Sequence, residues 1–299
     1  MVKVSVILPI YNVAPYLDEA FQSILSQTLI EIEVIAVNDG STDNSQELID
    51  HYAAQDSRIM VIQQENQGLS GARNTALRHA IGKYIYMMDS DDIISNIDAL
   101  RICYEYAEKS QADFIFFDSE RFLDQGLEKL PNIQRTHLTK EGKRYDGEYL
   151  LSLMLDHVTH NSAVWLLFIN HDYIKRLGLN FYPGIIHEDE LFTTILTLSS
   201  NSIYCLKQSF IKHRVRSTSI MGQRYTKRNV DCYLTVADQL LRFRRTPIIH
   251  KFLSYTLSKV FYTGHLIPLK DKPAVFWRAI HSGYLKYIGL KSIIVFWLK

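Results

Sequence analysis

Three carboxylates within four residues are the first feature of this sequence that could do chemistry. Asp89, Asp91 and Asp92 directly follow an apolar segment with the pattern of a strand. Like charges this close repel one another unless a cation lies between them. A hard divalent cation with oxygen ligands is the usual partner. The alternative is a helix-capping turn with Asp91 or Asp92 as the cap, but the position at a strand end favours a metal site.

A second acidic run, Glu188–Glu190, follows His187 and precedes an apolar helical pattern. Acids near a helix N-terminus are stabilised by the helix dipole, by about 0.3–1 kcal/mol each. That explanation is sufficient for part of the run. Three adjacent acids leave at least one without a structural task, and a carboxylate at this place could act as a general base.

Two further segments combine glycine with polar side chains. Residues 38–43 (NDGSTD) follow a strand-like segment and fit either a turn with a helix cap or a ligand site. Only Asp39 has no task in the turn. Residues 68–74 (GLSGARN) open a helical pattern but lack the Gly-Lys-Ser/Thr of a P-loop. Arg73 could contact a phosphate or a base there, or it could form a surface ion pair.

A basic segment, residues 213–216 (HRVR), ends a strand-like stretch, and residues 217–222 after it have the composition of a mobile loop. Arginine and histidine beside such a loop could close over a phosphate. A solvated strand end is the commoner explanation of the same pattern. The sequence alone does not decide between the two.

An alternation of strand and helix patterns must position these segments. The series implies a mostly parallel sheet with helices on both faces. In such sheets ligands bind beyond the carboxyl ends of the strands, where the loops 9–12, 38–43, 65–71 and 89–92 lie. Strands are predicted at 2–8, 32–37, 59–62, 83–88 and 114–117, and helices at 16–27, from 42 onwards, at 69–80 and at 97–107.

Beyond residue 120 the pattern becomes less regular. Residues 120–145 are polar and predict an irregular excursion or a hairpin. Helices are predicted at 146–155 and 189–198, strands at 163–169 and 202–215, and three helical stretches at 227–245, 248–264 and 274–298.

The composition excludes several classes of protein. The 299 residues carry a formal net charge of +1, which argues against a strongly basic nucleic-acid binder and an acidic disordered chain. The three cysteines form no Cys-x-x-Cys pair, so we predict neither a disulfide framework nor a zinc module. The first residues do not resemble a signal peptide, and no window suggests a spanning helix. We therefore predict a cytoplasmic protein without a nucleic-acid partner.

The charge is unevenly distributed. Residues 241–299 carry eleven Lys and Arg against one acid, a net of +10, together with eleven of the 35 aromatic residues. Either these helices pack on the rest of the chain, or one of them lies in a membrane interface and is attracted to anionic lipids. The second interpretation predicts peripheral contact with the inner face of the cytoplasmic membrane. Its apolar face would comprise Phe276, Ile280, Tyr284, Ile288 and Leu298.

The order of the motifs resembles that of the inverting nucleotide-sugar glycosyltransferases of family two. It runs from residues 6–12 (VILPIYN) through 38–43, 66–74 and 89–92 to Glu188 and Asp189, within residues 1–220. The resemblance implies the α/β fold called GT-A, with a mixed, mostly parallel sheet flanked by helices. It also implies a catalytic domain at 1–220, with a nucleotide-binding half at 1–120 and an acceptor half at 121–220, followed by a helical C-terminal region at 221–299.

The resemblance assigns a role to each candidate residue. Asp189 is implied as the catalytic base with Glu188 beside it, and Asp91 as the ligand of Mn²⁺ or Mg²⁺ on the diphosphate. His213 is implied near the metal, and Arg214 and Arg216 near the diphosphate. The implied nucleotide-binding residues, for the base and the ribose, are Pro9, Tyr11, Asn12, Asp39, Arg73, Asp89 and Ser90.

The implied reaction is a single displacement on a nucleotide sugar. Asp189 takes the proton of the acceptor hydroxyl as that oxygen attacks the sugar C1 from the face opposite the diphosphate. The Gln-x-x-Arg-Trp motif of processive synthases is absent, since no tryptophan here follows an arginine. We therefore expect the addition of one sugar. The resemblance further implies a UDP-sugar donor and a glycan acceptor in O-antigen, capsule or exopolysaccharide synthesis, and the basic, aromatic C-terminal segment favours an acceptor linked to polyprenyl diphosphate.

Two other functions are compatible with parts of this pattern. A catalytically silent nucleotide-sugar-binding protein would keep the pocket without transfer, but the intact Asp91 and Asp189 argue against it. A sugar nucleotidyltransferase would need a Gly-x-Gly-Thr-Arg-type loop after the first strand, and residues 9–12 (PIYN) do not supply one.

Overall fold

One mixed sheet organises the part of the chain that the computed structural model describes, residues 1–124, 129–216 and 224–298. Its strand order is β3-β2-β1-β4-β8-β6-β9-β5, and β7 pairs with β6 outside this path. The strands are β1 (Val4–Ile10), β2 (Ile32–Asp39), β3 (Ile59–Gln64), β4 (Tyr84–Met87), β5 (Ile93–Ile94), β6 (Phe114–Leu123), β7 (Lys129–Ile133), β8 (Leu167–Asn170) and β9 (Ile203–Val215).

The strands β3, β2, β1 and β4 are parallel, as the sequence predicts. Every residue of β1 and β2 is buried, which suits strands covered by helices on both faces. Pro9 lies within β1, where it pairs in register with Val37, so this strand ends two residues later than predicted. The carboxyl ends of the four strands share one edge of the sheet.

Helices cover both faces of this half of the sheet and continue to the end of the described chain. They are α1 (Ala14–Leu25), α2 (Ser45–Gln55), α3 (Gly68–His79), α4 (Ala99–Ser110), α5 (Gly147–Asp156), α6 (His171–Leu177), α7 (Glu188–Leu198), α8 (Lys227–Phe243), α9 (Pro247–Thr263), α10 (Lys272–His281) and α11 (Leu290–Leu298).

The other half of the sheet is mixed. β8 runs antiparallel to both β4 and β6, whereas β6 and β9 are parallel. The hairpin expected within residues 120–145 is formed by β6 and β7. The strand predicted at 163–169 begins as a 3-10 helix, Val164–Leu166, and becomes β8 only at Leu167. The short helix α6 and the two-residue strand β5 have no counterpart in the sequence prediction.

The single helix predicted at 274–298 is wrong. α10 ends at His281, and Gly283 follows with a φ of +68°, in the left-handed region where glycine commonly ends helices. A 3-10 helix, Tyr284–Tyr287, precedes α11. The predicted apolar face therefore does not exist, because Tyr284 and Ile288 are buried whereas Leu298 is exposed.

The C-terminal helices share a hydrophobic core with α5 and α7. Leu151 and Leu191 belong to the same buried cluster as Leu234, Phe252 and Phe296. The interpretation that this region packs on the rest of the chain therefore holds for its buried faces. None of the described helices is both long and apolar enough to cross a membrane.

Candidate active site

Asp39, at the end of β2, is held in place by two amide groups. It is 2% exposed, and its Oδ1 accepts hydrogen bonds from Gln64 Nε2 at 2.6 Å and from the Gln67 backbone N–H at 2.9 Å. The next residue, Gly40, has a φ of +74°, and a Cβ there would lie 3.0 Å from the Asn66 backbone nitrogen. Glycine is thus required for this turn, which orients the Asp39 carboxylate at the ligand-binding edge of the sheet.

The loop after β1 is tied to the loop after β2. Asn12 has a φ of +51°, and its Oδ1 accepts a hydrogen bond from the Thr42 N–H at 2.7 Å. Its own N–H donates to Ser41 Oγ at 3.1 Å. Tyr11 is half-exposed beside this junction. The predicted residues Pro9, Tyr11, Asn12 and Asp39 therefore belong to the same corner of the sheet edge.

Arg73 is the centre of a buried cluster of carboxylates. Its Nη1 donates to Glu188 and to Asp189, each at 2.7 Å, and its Nη2 donates to Asp89 at 2.8 Å. The arginine is 1% exposed, and its guanidinium lies 5.1 Å from the ring centre of Phe181. Burial acts to lower the pKa of Arg73, but the three carboxylates raise it above its usual value.

The resemblance implies that Arg73 lines the nucleotide-base pocket, and this stays a prediction. The structure brings its guanidinium to Asp189, the predicted catalytic base, and to Asp89, the predicted ribose-binding residue. These acids come from the end of β4 and the start of α7, 16 to 116 residues from Arg73. A buried cation explains how the acids can lie together, because each pair of like charges would otherwise repel.

Asp189 has the environment of a general base. It also accepts a hydrogen bond from the Val164 backbone N–H at 3.1 Å, and its side chain is 18% exposed. Burial raises its pKa, Arg73 lowers it, and the charges of Glu188 and Asp89 raise it again, to a value of about 7. A carboxylate with a pKa close to the working pH suits proton abstraction.

The segment from Asp89 to Asp92 forms a turn, with the Asp92 N–H donating to the Asp89 carbonyl at 3.1 Å. Ser90 is buried within it. Asp92 is 1% exposed, and its carboxylate meets His213 Nδ1 at 3.1 Å and the Arg214 backbone N–H at 2.9 Å. Burial raises the pKa of Asp92 to about 6. Asp92 therefore ties this turn to the end of β9.

Asp91 has a different partner from Asp92. Its Oδ2 accepts a hydrogen bond from Arg216 Nε at 2.6 Å. Burial and the charge of Asp89 raise its pKa. No group of three or more His, Cys, Asp or Glu side chains within the described ranges could hold a metal ion by itself. The carboxylate of Asp91 still fits a cation, provided that the remaining oxygen ligands come from a bound phosphate.

The basic residues at the end of β9 are held by the protein itself. Arg214 is 7% exposed and forms ion pairs with Glu19 and, at 3.1 Å, with Asp124. The ring of His213 stacks on Trp165, with 4.7 Å between the ring centres. Arg216 reaches Asp91, as described above. The loop predicted at 217–222 lies outside the described residues.

The family model described as Glycosyl transferase family 2 matches residues 5–173. The uncharacterized glycosyltransferase EpsJ of Bacillus subtilis is 48% identical over 223 residues, which is 73% of this chain and 62% of that protein. The alignment thus spans less than two thirds of this relative.

Solved structures share the fold. The first 349 residues of S. aureus TarS, in complex with UDP-GlcNAc, superpose with a TM-score of 0.75 at 20% identity, covering 98% of this chain and 83% of that one. The mannosyltransferase PcManGT of Pyrobaculum calidifontis, with GDP-Man and Mn²⁺, gives 0.63 at 18% identity, covering 95% and 77%. The predicted GT-A fold is thereby confirmed.

Proposed function

Because this chain belongs to glycosyl transferase family 2, we propose that it is an inverting glycosyltransferase. It moves one sugar from a UDP-sugar to a hydroxyl group of a glycan acceptor. The observation that carries this proposal is the environment of Asp189. Its carboxylate is partly exposed, has a pKa of about 7, and is joined through Arg73 to Asp89, the predicted ribose-binding residue.

The proposed step is a single displacement. The acceptor O–H proton passes to Asp189, the oxygen forms a bond to the sugar C1, and the bond from C1 to the diphosphate breaks with its electron pair leaving on UDP. Arg73 and the Val164 N–H hold the carboxylate of Asp189 in position throughout. Because the attack comes from the face opposite the leaving group, the configuration at C1 inverts. Alignment of the two reactants supplies much of the rate.

Nucleotide binding is proposed at the corner that contains Asp39. Its Oδ1 is occupied by Gln64 and Gln67, so its second oxygen accepts the base N–H. TarS with UDP-GlcNAc superposes with a TM-score of 0.75, against 0.63 for PcManGT with GDP-Man, and we take this as support for a uracil nucleotide. Asp89 and Ser90 face the ribose in this proposal, beside Pro9, Tyr11 and Asn12.

A divalent cation, Mn²⁺ or Mg²⁺, would be held by Asp91. Such a cation, when bound, would neutralise the negative charge that develops on the departing diphosphate. PcManGT was solved with Mn²⁺ on the same fold, which supports this proposal. Arg216, which pairs with Asp91, would then be available to the phosphate oxygens, while His213 holds Asp92. Arg214 steadies this end of β9.

A screen of nucleotide sugars by thermal unfolding tests the donor. A UDP-sugar with Mn²⁺, present at about 100 times its Kd, is expected to stabilise the chain by about 2.7 kcal/mol through mass action. The change Asp39→Asn should weaken this protection, because the amide cannot replace the carboxylate as acceptor without reorientation. The result against the proposal is an unchanged unfolding temperature with every nucleotide sugar.

The same preparation separates the two competing functions. Release of UDP together with a glycosylated acceptor excludes a silent binding protein, which would bind the donor without transfer. Release of pyrophosphate from UTP and a sugar phosphate would support a nucleotidyltransferase instead.

The rate of transfer is expected to depend on pH through Asp189. Its pKa of about 7 lies above that of an ordinary aspartate, so the base form is lost as the pH falls through 7. We expect kcat/KM to fall about tenfold per pH unit below that point and to level off above it. Thermal unfolding at each pH controls for loss of fold. A profile that stays flat down to pH 5 contradicts the role of Asp189.

The acceptor is proposed to be a polyprenyl-diphosphate-linked glycan of a surface polysaccharide, reached from the inner face of the cytoplasmic membrane. Residues 221–299, the proposed C-terminal region, support this. Exposed apolar side chains are concentrated in its last helices, with Leu269, Trp277, Leu290, Ile294 and Leu298 among them. Exposed lysines accompany them, at positions 270, 286 and 291. Apolar side chains beside cations suit an anionic membrane surface.

Sedimentation with vesicles of phosphatidylglycerol tests this membrane contact. The triple variant Trp277→Ser, Leu290→Ser and Ile294→Ser is expected to lose most of the binding, and salt should weaken binding of the unaltered chain. The matched control replaces three exposed isoleucines elsewhere, Ile30, Ile81 and Ile97, with serine. Equal binding by both triple variants excludes this surface. A change in oligomeric state of the first variant alone would show that a second copy covers it.

A further inference from the structure

Glu190, the third acid of the run, faces away from the Arg73 cluster. Its Oε2 lies 3.4 Å from His160 Nε2, and its side chain is 16% exposed. The side chain of His160 is only 6% exposed, and its Nδ1 has no hydrogen-bond partner in the described part of the chain. Thr194, one turn after Glu190 on α7, has an unpartnered buried Oγ1 as well. Buried polar groups are normally satisfied, so these two atoms are hydrogen-bonding capacity that the described residues leave unused.

Two side chains of α8 and the residue before α7 complete the group. His187 has a φ of +64°, and its ring stacks on Tyr233 with 4.5 Å between the ring centres. Asn229 Nδ2 lies 3.2 Å from His187 Nε2. We call Glu190, His160, His187, Asn229 and Tyr233 the Glu190 cluster. All five residues are partly buried.

The chemistry of the Glu190 cluster suits hydroxyl groups. Burial acts to raise the pKa of Glu190, but the hydrogen bonds of His160 and Ser162 hold the pKa below its usual value. Glu190 is thus an ionised carboxylate, which only accepts hydrogen bonds. The amide and the imidazoles add donors, and the aromatic rings add apolar faces. A few polar groups beside aromatic side chains are the usual composition of a site for a small organic ligand.

The position of the Glu190 cluster relative to Asp189 decides which ligand it suits. Asp189 and Glu190 are consecutive in α7, and successive helical side chains point about 100° apart. Asp189 turns to Arg73, on the side of Asp89, whereas Glu190 turns to His160. The loop before β8 reaches both acids, since it supplies His160 to Glu190 and the Val164 N–H to Asp189. The carboxylate of Asp189 thus lies with Arg73 and Asp89, on the side proposed for the nucleotide, and that of Glu190 lies with His160.

We propose that the Glu190 cluster is the acceptor subsite and binds ring hydroxyls of a pyranose. Glu190 accepts hydrogen bonds from the hydroxyls, Asn229 and His160 donate or accept beside it, and the rings of His187 and Tyr233 pack against the sugar. This inference rests on the proposed transfer reaction. A pyranose held here presents one further hydroxyl to Asp189 from the side opposite the nucleotide, as inversion requires.

Steady-state kinetics with p-nitrophenyl glycosides of glucose, galactose and N-acetylglucosamine test the subsite. The change Glu190→Gln is expected to raise the KM for the acceptor at least tenfold while the Kd for the nucleotide sugar stays within twofold. Tyr233→Leu, which removes the ring, should raise the acceptor KM severalfold, whereas Tyr233→Phe, which keeps the ring, should leave it within twofold. The matched control is Glu148→Gln, at an exposed glutamate in the first turn of α5, which should change neither constant.

Three results would overturn the inference. One is an unchanged acceptor KM in folded Glu190→Gln and Tyr233→Leu. Another is an equal loss of donor and acceptor affinity, which would place the cluster in the donor site or in the general scaffold. The last is an unaltered chain that binds its donor but uses none of the three glycosides. A chain that binds no nucleotide sugar at all would instead remove the proposed function.

Discussion

Replacing Asp189 with asparagine is expected to reduce transfer by about 10²–10⁴-fold, the usual contribution of a general base. The amide has nearly the same shape, and its single oxygen can keep one of two hydrogen bonds, either that of Arg73 to Oδ1 or that of the Val164 N–H to Oδ2. It has no basic site for the acceptor proton. The donor Kd, measured by titration with the nucleotide sugar, should therefore remain within about twofold of that of the unaltered chain.

Two comparisons make this result specific to Asp189. Asp172→Asn, at an exposed aspartate in the first turn of α6, should leave transfer unchanged. Glu188→Gln should cost less than Asp189→Asn, because Glu188 is more deeply buried and its Oε1 is directed at Arg73. Turnover of Asp189→Asn within tenfold of normal, with the donor still bound, would remove Asp189 from the mechanism.

The strand ends were predictable because two independent signals coincide there. An apolar, β-branched run predicts a buried parallel strand, and polar residues directly after it mark a loop at the ligand-binding edge. Both signals are present at β2 and at β4, so Asp39 and Asp89 fall where the sequence places them. The predicted end of β1 is two residues early, because proline is typical of a strand end, whereas here the strand continues through Pro9 to Ile10.

The partners of these side chains were not predictable. The bond from Arg73 to Asp189 joins residues 116 positions apart, and that from Arg214 to Glu19 joins residues 195 apart. No local spacing reports such contacts. Val164 acts on Asp189 through its backbone N–H, so its side-chain type carries no signal. The same limit applies to the C-terminal helices, where the apolar period continues through Gly283 although the backbone turns there.

The change Arg73→Met is expected to lower the free energy of unfolding by about 3–5 kcal/mol, the usual cost of breaking a buried ion pair from one side. Methionine resembles the aliphatic stem of arginine but leaves Asp89, Glu188 and Asp189 without their shared cation. Urea unfolding measures the loss. Arg101→Met is the matched control, because Arg101 also pairs with two acids, Asp98 and Glu105, but lies on the surface. Its cost should be much smaller, because water and salt screen an exposed ion pair.

A second substitution distinguishes charge from packing at Arg73. If uncompensated charge causes the loss, Glu188→Gln should restore part of the stability of Arg73→Met, although alone it destabilises the chain by breaking the bond at 2.7 Å. Such non-additivity is expected of groups in one network. Arg73 also lowers the pKa of Asp189, so Arg73→Lys, which keeps a cation but not the fork of donors, should shift the pH profile of transfer to higher pH. Additive losses with an unshifted profile would mean that Arg73 only fills space, and that the base does not depend on it for its charge.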